Sequence, residues 1–311
     1  MSLNKKKEID FLVVTGPTAT GKTKVAVNIA HQFNGEIISA DSRQIYKGMD
    51  IGTGKDLNEY IINDSSVPHH LIDILDPIEN YSVYQFQRDF LSAYNDIIAR
   101  NKLPILCGGT GLYIESILLK YKLENAPGPN QKLRQDLQKK SMEELLELLK
   151  DISPQNYDDP SKKDTKNRII RVLEIELNKI SNQPDIFINQ KIDNFLVVGI
   201  QQERQNNRDL IKKRLIERLE QGLIEEVENL LKNGLKESRL DYFGLEYKFV
   251  GNYLKKEITK EDLIDKLHIA ICQFAKRQMS WFRRMEKRGI KIHWIKPTNK
   301  EKINTLIKNA I

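Results

Sequence analysis

The sequence is poor in cysteine and has no long apolar run. Its two cysteines, Cys107 and Cys272, lie far apart, without His or Cys neighbours at the spacing of a metal site. We therefore expect neither a disulfide framework nor a zinc site. No apolar stretch approaches the ~20 residues that a membrane span needs. Because residues 1–10 are polar and lysine-rich, we expect no signal peptide, no membrane partner and a cytoplasmic location.

A strong overall charge bias is also missing. The chain has 50 Lys and Arg against 43 Asp and Glu, a net charge of +7 over 311 residues, which says little about partners. The distribution is more informative, because basic residues crowd residues 276–291 together with Phe274, Trp281 and Phe282. A basic, aromatic-laced helix is one footprint of a nucleic-acid partner. A solvated helix face explains such a charge run equally well.

The segment that organises the chain is a glycine-bounded loop after an apolar run that begins at Phe11. Its spacing is that of a P-loop, G-x-x-x-x-G-K-[ST]. In such a loop backbone N–H groups wrap a di- or triphosphate, the lysine adds a cation and the last hydroxyl reaches Mg²⁺. Apolar residues at helical spacing follow, so the phosphate would lie at a helix N-terminus. The predicted phosphate-binding residues are Gly16, Pro17, Thr18, Ala19, Thr20, Gly21, Lys22 and Thr23.

Alternating apolar runs and helical periods predict an α/β protein with a parallel, P-loop-type sheet. Further strands are expected at 36–41, 68–75, 103–107, 195–200 and 291–295, and helices at 81–99, 112–120, 208–220, 223–233 and 260–288. Between them, polar helical segments at about 131–150 and 163–179 indicate an insertion. We therefore predict a core in two parts, 1–123 and 191–311, with helical C-terminal additions and a helical insertion at 124–190.

The P-loop alone does not define the reaction, because NTP hydrolysis, phosphoryl transfer and transfer of an organic group off a diphosphate all use it. Asp41 ends a predicted strand, where parallel sheets bind ligands. It fits a metal-side carboxylate or a general base, and a structural helix cap is a third possibility. Asp73 competes for the same role. The pattern offers no water-activating group for an NTPase.

Five blocks in order resemble the tRNA dimethylallyltransferase family: 16–23, 41–46 with 48–53, 69–73, 108–113 and 277–283. The resemblance implies transfer of the dimethylallyl group from dimethylallyl diphosphate to N6 of the adenine on the 3′ side of the anticodon, position 37 of tRNA. Lys22, the loop N–H groups and Mg²⁺ near Thr23 would stabilise the leaving diphosphate. Asp41 takes the place of the family's general base.

The resemblance also implies where the tRNA anticodon stem-loop binds. Ser42 and Gln44 would contact the adenine, which must leave the anticodon stack, and Thr110 would lie in the reaction channel. The insertion is similar to the family's anticodon-gripping insertion, and its arginines suit phosphate contacts. The tRNA-contacting residues expected on this basis are Asp41, Ser42, Arg43, Gln44, Thr110, Arg134, Asn167, Arg168, Arg171, Lys276, Arg277, Gln278 and Arg283. A monomer is expected.

Three departures from the family pattern stand out. Leu245 takes the place of a usual tyrosine, residues 52–56 are Gly-Thr-Gly-Lys-Asp rather than the common Gly-Thr-Ala-Lys-Pro, and the insertion looks short. These changes keep two other activities open: prenylation of free adenine nucleotides, and an ATP-using nucleotide or small-molecule kinase. A non-catalytic RNA-binding module is a further alternative, which gives no reason for Lys22, Thr23 and Asp41 to meet in one pocket.

Overall fold

A computed structural model describes residues 9–123, 130–178 and 185–311. The chain divides into two compact units, one formed by Met1–Leu119 with Lys191–Ile311 and the other by Lys120–Gln190. The sequence predicts the first boundary at 123/124, and residues 124–129 lie outside the described ranges, as do residues 1–8 of the polar N-terminal stretch. None of the helices described in the structure is long and apolar enough to cross a membrane.

The first unit is built on a six-stranded sheet in which every pair of neighbours is parallel. The eight strands described, including a two-stranded hairpin of β3 and β4, are β1 Phe11–Thr15, β2 Gly35–Ser39, β3 Ile61–Ile62, β4 Ser65–Ser66, β5 His69–His70, β6 Leu103–Gly108, β7 Phe195–Ile200 and β8 Ile292–Ile295. The sheet order is β5-β2-β6-β1-β7-β8. The predicted parallel α/β core is thereby confirmed.

Both faces of the sheet are covered at β1, where every residue is buried and successive side chains point to opposite faces. Leu12 and Val14 pack into a cluster with helix residues such as Ile29 and Ile307. On the opposite face, the ring of Phe11 contacts that of Phe90 edge-on, with centroids 5.7 Å apart. All residues of β1 are buried, so the strand fixes the loop that follows it.

Helices of the first unit cover the sheet and extend beyond it. They are α1 Lys22–Gln32, α2 Val83–Ala99, α3 Gly111–Leu118, α8 Arg204–Glu220, α9 Leu223–Lys232, α10 Leu240–Phe243, α11 Leu245–Leu254, α12 Lys260–Lys287 and α13 Lys300–Lys308. Three short 3₁₀ turns are also described, at Leu57–Tyr60, Pro160–Lys162 and Glu237–Arg239. Sequence analysis predicts neither α10, α11 and α13 nor the β3–β4 hairpin.

The second unit is helical, with α4 Gln131–Gln138, α5 Met142–Ile152, α6 Pro154–Asp158 and α7 Lys166–Leu177. Its core is a cluster of leucines and isoleucines that includes Leu145, Leu149, Ile169 and Leu173. The range 131–150, predicted to be helical, is helical except for a break at residues 139–141. The Ser141 side chain caps a new helix by accepting the Glu144 N–H, and Glu144 returns the bond in a capping box.

Two further sequence predictions need correction. The strand expected at 68–75 covers only His69–His70, because Leu71 and Asp73 adopt left-handed φ values of 61° and 55° that end the extended run. The helix expected from 163 begins at Lys166, where the Thr165 side chain caps it. Residue 179, its predicted end, lies outside the described residues.

Candidate functional site

The sheet order places three loops side by side. Strands β2, β6 and β1 are consecutive neighbours, so their carboxyl ends meet at one edge. Ligands of open parallel sheets bind at that edge. β1 leads into the phosphate loop, β2 into Asp41, and β6 into Gly109 and Thr110. Strand pairing thereby gathers three separate stretches of the sequence into one site.

The phosphate loop has a fixed backbone shape. Gly16 has a φ of +154°, and a Cβ there would lie 2.2 Å from the carbonyl oxygen of Ile200, so the turn requires glycine. The Thr20 hydroxyl donates to the carbonyl of Pro17 at 2.9 Å across the loop. Lys22 is the first residue of α1, which directs the positive end of the helix dipole into the loop.

Asp41 lies two residues beyond β2, in a loop held to the end of β6. The Ala40 N–H donates to Cys107 O at 2.7 Å, and the Thr110 N–H donates to Ala40 O at 3.1 Å. The Ser42 N–H donates to the Thr110 hydroxyl at 3.0 Å. One carboxylate oxygen of Asp41, Oδ1, accepts the Arg43 N–H at 2.9 Å. Thr110 therefore positions the loop that carries the predicted base.

Gln278 joins two of the loops. Its Oε1 accepts the Thr18 N–H and its Nε2 donates to the carbonyl of Gly109, both at 2.9 Å. The side chain is buried on α12. Both polar atoms of the amide are engaged, so the structure places this predicted tRNA contact as a clamp between the phosphate loop and the glycine-rich loop.

The electrostatics of the site favour an anion. Burial lowers the pKa of Lys22, and repulsion from Arg214 and Arg218 adds to the shift, whereas Asp41 opposes it. Burial also raises the pKa of the nearby Cys107 thiol to about 12, so this cysteine is neutral and supplies no counter-charge. A bound anion would offset the cost that burial imposes on the charged Lys22 ammonium.

A cavity of about 870 Å³ opens above these loops. Eleven of the residues predicted from sequence line it, namely Thr18, Ala19, Gly21, Lys22, Thr23, Asp41, Ser42, Arg43, Gln44, Thr110 and Gln278. Gly16, Pro17 and Thr20 belong to the same loop but do not line the cavity. Gln44 is tied into the wall, since its Oε1 accepts the Ser39 hydroxyl at 3.0 Å and its Nε2 donates to Gly54 O at 2.9 Å.

Sequence analysis missed two cationic residues of the cavity wall. Arg214 and Arg218 are one turn apart on α8 and both line the cavity, with 31% and 9% of their side-chain surfaces exposed. The i, i+4 spacing is visible in the sequence, but charges surround α8, so a solvated helix explains it as well. Leu245 and Glu246, at the start of α11, also line the cavity.

The donor set for a magnesium ion is small. The Thr23 hydroxyl and the Asp41 carboxylate share the cavity wall. Within the described residues no group of three His, Cys, Asp or Glu side chains could hold a metal ion. This set fits Mg²⁺, which keeps several waters and binds through one or two protein oxygens together with substrate phosphates.

The remaining predicted residues of the first unit lie on α12 outside the cavity. Lys276, Arg277 and Arg283 are exposed. The Arg277 guanidinium lies 5.9 Å from the centre of the Phe274 ring. Their neighbours Arg284 and Arg288 instead bind the buried carboxylate of Glu115 on α3. Arg284 and Arg288, although 44% and 46% exposed, therefore hold α12 and the residue after it to α3.

In the second unit, the predicted residues lie on α4 and α7. Arg134 binds the buried Glu174 through two nitrogens, at 2.9 and 2.7 Å, and Arg171 binds the same carboxylate. Arg168 pairs with Asp164 at 2.6 Å. Asn167 accepts the Gln138 amide at 2.8 Å. Arg134 and Arg171 hold the unit together through Glu174 and keep 40% and 35% of their side-chain surface exposed.

Two family models match the chain. One described as IPP transferase matches residues 44–285, and one described as isopentenyl transferase matches residues 9–65. A relative from Parabacteroides distasonis, named tRNA dimethylallyltransferase 1, is 47% identical over 304 residues, which are 97% of this chain and 98% of the relative.

Solved structures agree with these matches. A full-length tRNA isopentenylpyrophosphate transferase from Bacillus halodurans has a TM-score of 0.67 at 32% identity, over 98% of this chain and 97% of that one. A eukaryotic dimethylallyltransferase acting on tRNA has a TM-score of 0.72 at 26% identity, over 91% of this chain and 73% of that one.

Proposed function

The chain belongs to the IPP transferase family, and from this premise we propose that it transfers the dimethylallyl group of dimethylallyl diphosphate to N6 of adenine 37 in tRNA. The assignment makes it a prenyltransferase that modifies tRNA. The observation that carries the finer proposal is the meeting of Lys22, Asp41 and Thr110 in one cavity. This arrangement combines an anion site with a carboxylate base.

The leaving group accounts for the cations. A bound diphosphate would place its negative charge beside Lys22, Arg214 and Arg218, which line one cavity. As the allylic carbon–oxygen bond breaks, negative charge grows on the departing oxygen, and preorganised donors stabilise it there. The phosphate-loop N–H groups and Lys22 are those donors. Thr23 would hold Mg²⁺, which supplies further charge neutralisation when bound.

Asp41 removes the proton. The N6 nitrogen forms its bond to the allylic carbon, and one N6 proton passes to the carboxylate while the electron pair of the broken bond leaves with the diphosphate. Oδ1 of Asp41 is held by the Arg43 N–H, and the proposal assigns the proton to Oδ2. Ser42 and Thr110, joined by a hydrogen bond, flank the base and orient the adenine.

The tRNA backbone would contact two sets of basic side chains. One is the exposed face of α12, with Lys276, Arg277 and Arg283. The other is the partly exposed set of the helical unit, with Arg134 and Arg171 and with Arg168 and Asn167 beside them. Arginine binds phosphate bidentately, and such contacts weaken with salt. We further propose that the protein acts as a cytoplasmic monomer.

Label transfer tests this function. The purified protein, with Mg²⁺ and labelled dimethylallyl diphosphate, is given either unmodified tRNA with adenine at position 37 or free AMP. Label should enter tRNA alone. Label in AMP alone would mean nucleotide prenylation, and ATP consumption without label transfer would indicate a kinase.

Asp41→Asn is the matched variant for the base. Loss of a general base reduces the rate by about 10²- to 10⁴-fold, whereas binding of pyrophosphate should persist because the phosphate loop is intact. Asp64→Asn is its control, since Asp64 is exposed in the β3–β4 turn away from the cavity. Full activity of Asp41→Asn would rule out Asp41 as the base.

A further inference from the structure

A carboxylate of the chain already occupies the arginines of the cavity wall. Oδ2 of Asp56 lies 2.7 Å from Nη2 of Arg214 and 3.7 Å from Nη2 of Arg218. Asp56 lines the same cavity as the phosphate loop. An internal anion therefore sits at the cationic wall that a diphosphate would approach.

The loop reaches the arginines because of Gly54. A Cβ at this position would lie 1.6 Å from Nη2 of Arg218 and 2.4 Å from Nη2 of Arg214. Gly54 also has a φ of +62°, which glycine adopts without strain. A side chain here would displace either the loop or the guanidinium ends of the two arginines. Gly54 thus allows the loop to approach Arg214 and Arg218, and Asp56 supplies the negative charge.

Asp56 has no other structural task that the geometry shows. It stands at the N-cap position of the 3₁₀ turn Leu57–Tyr60, yet its side chain makes no capping hydrogen bond there. Its φ of 46° is left-handed, a conformation that aspartate and asparagine tolerate. The carboxylate is directed to the arginines instead.

The arginine pair is incompletely satisfied by Asp56. Nε and Nη2 of Arg218 have no hydrogen-bond partner among the described residues, although the side chain is only 9% exposed. Glu246 approaches no closer than 3.9 Å, and burial raises the pKa of its carboxyl, which weakens it as a counter-charge. A buried guanidinium whose N–H groups lack acceptors is costly, so a more highly charged anion such as a diphosphate could accept hydrogen bonds from them.

We infer that the Asp56 carboxylate competes with the diphosphate for Arg214 and Arg218. Asp56 must give up its contact with Arg214 when the donor binds and regain it when pyrophosphate leaves. This inference rests on the proposed function. The apparent affinity for the donor falls because Asp56 occupies the arginines in a fraction of the molecules. When Asp56 returns to Arg214 after the reaction, it also favours release of pyrophosphate. Asp56 thereby tunes affinity for the donor without touching the reacting atoms.

Asp56→Asn tests the inference, because it keeps the left-handed backbone and removes the charge. Calorimetry with magnesium pyrophosphate should show about 3- to 10-fold tighter binding, and the KM for dimethylallyl diphosphate should fall. Asp64→Asn is the matched control, another left-handed aspartate outside the cavity, and should leave both values unchanged. Asp56→Gly, which also accepts the backbone, serves as a second variant if the first proves unstable.

A double-mutant cycle separates competition from a structural role. Arg214→Gln should weaken pyrophosphate binding, and in that background Asp56→Asn should no longer tighten it. Unchanged or weaker binding in Asp56→Asn, with wild-type binding intact, overturns the inference and leaves the proposed function standing. Failure of the wild-type protein to bind pyrophosphate at all overturns both.

Discussion

Oε1 of Gln278 accepts the backbone N–H of Thr18 at 2.9 Å, a contact that spans 260 residues of sequence. The same amide donates to Gly109, which precedes Thr110 and the start of α3. Through one buried side chain, α12 therefore fixes the spacing between the predicted phosphate loop and the loop that positions Asp41. The proposed reaction would depend on that spacing, because bond formation and proton transfer need the two substrates held together.

Replacing Gln278 by Met should loosen this clamp. The side chain keeps its volume but loses both hydrogen bonds, each with a net contribution of about 1 kcal/mol. We expect kcat/KM to fall by about tenfold or more. The melting temperature should change little, because the loops and not the sheet core depend on the amide. Steady-state kinetics against both substrates and thermal unfolding measure this. Wild-type kcat/KM in Gln278→Met would show that the loops hold their spacing unaided.

Lys22 should make diphosphate binding fall at alkaline pH. Burial lowers its pKa below the ordinary value, so the ammonium loses its proton earlier as pH rises, and with it the attraction for the anion. Binding should also take up a proton above that lowered pKa, which calorimetry in buffers of different ionisation enthalpy detects. In Lys22→Met the affinity should be weak and the alkaline decline absent. A wild-type decline that persists in Lys22→Met would assign it to another group.

The same shift makes Lys22 a burden on stability. The pKa of Lys22 is lower in the folded protein than in the unfolded chain, so burying the charged ammonium lowers the free energy of unfolding. This loss is complete below the folded pKa, shrinks as the pH rises above it, and is gone above the unfolded pKa. Lys22→Met should therefore raise the free energy of unfolding by about 1 kcal/mol at neutral pH, with less gain at high pH. Urea unfolding at pH 7 and above measures both. A destabilised Lys22→Met would contradict this reasoning.

The sequence predicts the central loops well, because their chemistry is local. The spacing from Gly16 to Thr23 and the strand that ends before Asp41 both lie in contiguous stretches, and parallel pairing makes their meeting a consequence of topology. Arg214 and Arg218 escape sequence analysis for the opposite reason. Their place beside Asp56 in the cavity wall depends on the approach of the loop around Gly54, which no periodicity in α8 encodes.

Errors in the fold have equally local causes. The run at 68–75 is apolar enough for a strand, but Leu71 and Asp73 adopt left-handed backbone angles that only the tertiary context imposes. The helical range expected at 131–150 is interrupted before the Ser141 cap, a signal that the sequence contains as Ser-x-x-Glu. α13 is short and highly charged, and its packing through Ile303 and Ile307 becomes evident only in the folded chain.

Glu115 should be a stability determinant of the site. Its carboxylate is fully buried on α3 and accepts the Trp281 indole N–H at 3.0 Å, Arg288 at 2.9 Å and also Arg284. Glu115→Ala removes the shared acceptor, and we expect a loss of about 2 kcal/mol, since both arginines are partly exposed and can rehydrate. Chemical denaturation measures it. Lys287→Ala, an exposed neighbour, is the control and should change stability little; equal effects of the two would remove Glu115 from this role.

The exposed face of α12 should contribute charge to tRNA binding. Lys276 and Arg283 lie outside the cavity and are exposed, so a role in phosphate contact predicts weaker tRNA affinity without a change in the KM for the donor. Each neutral replacement, Lys276→Gln or Arg283→Gln, should reduce the slope of log affinity against log salt concentration by about 1, because one fewer counterion is released.

Lys300→Gln on α13 removes the same charge from another exposed position and serves as the control for net charge. Filter binding of unmodified tRNA over a range of salt concentrations gives the slopes. If the α12 variants keep the wild-type slope, or if Lys300→Gln lowers it equally, the effect is one of overall charge and α12 makes no specific phosphate contact.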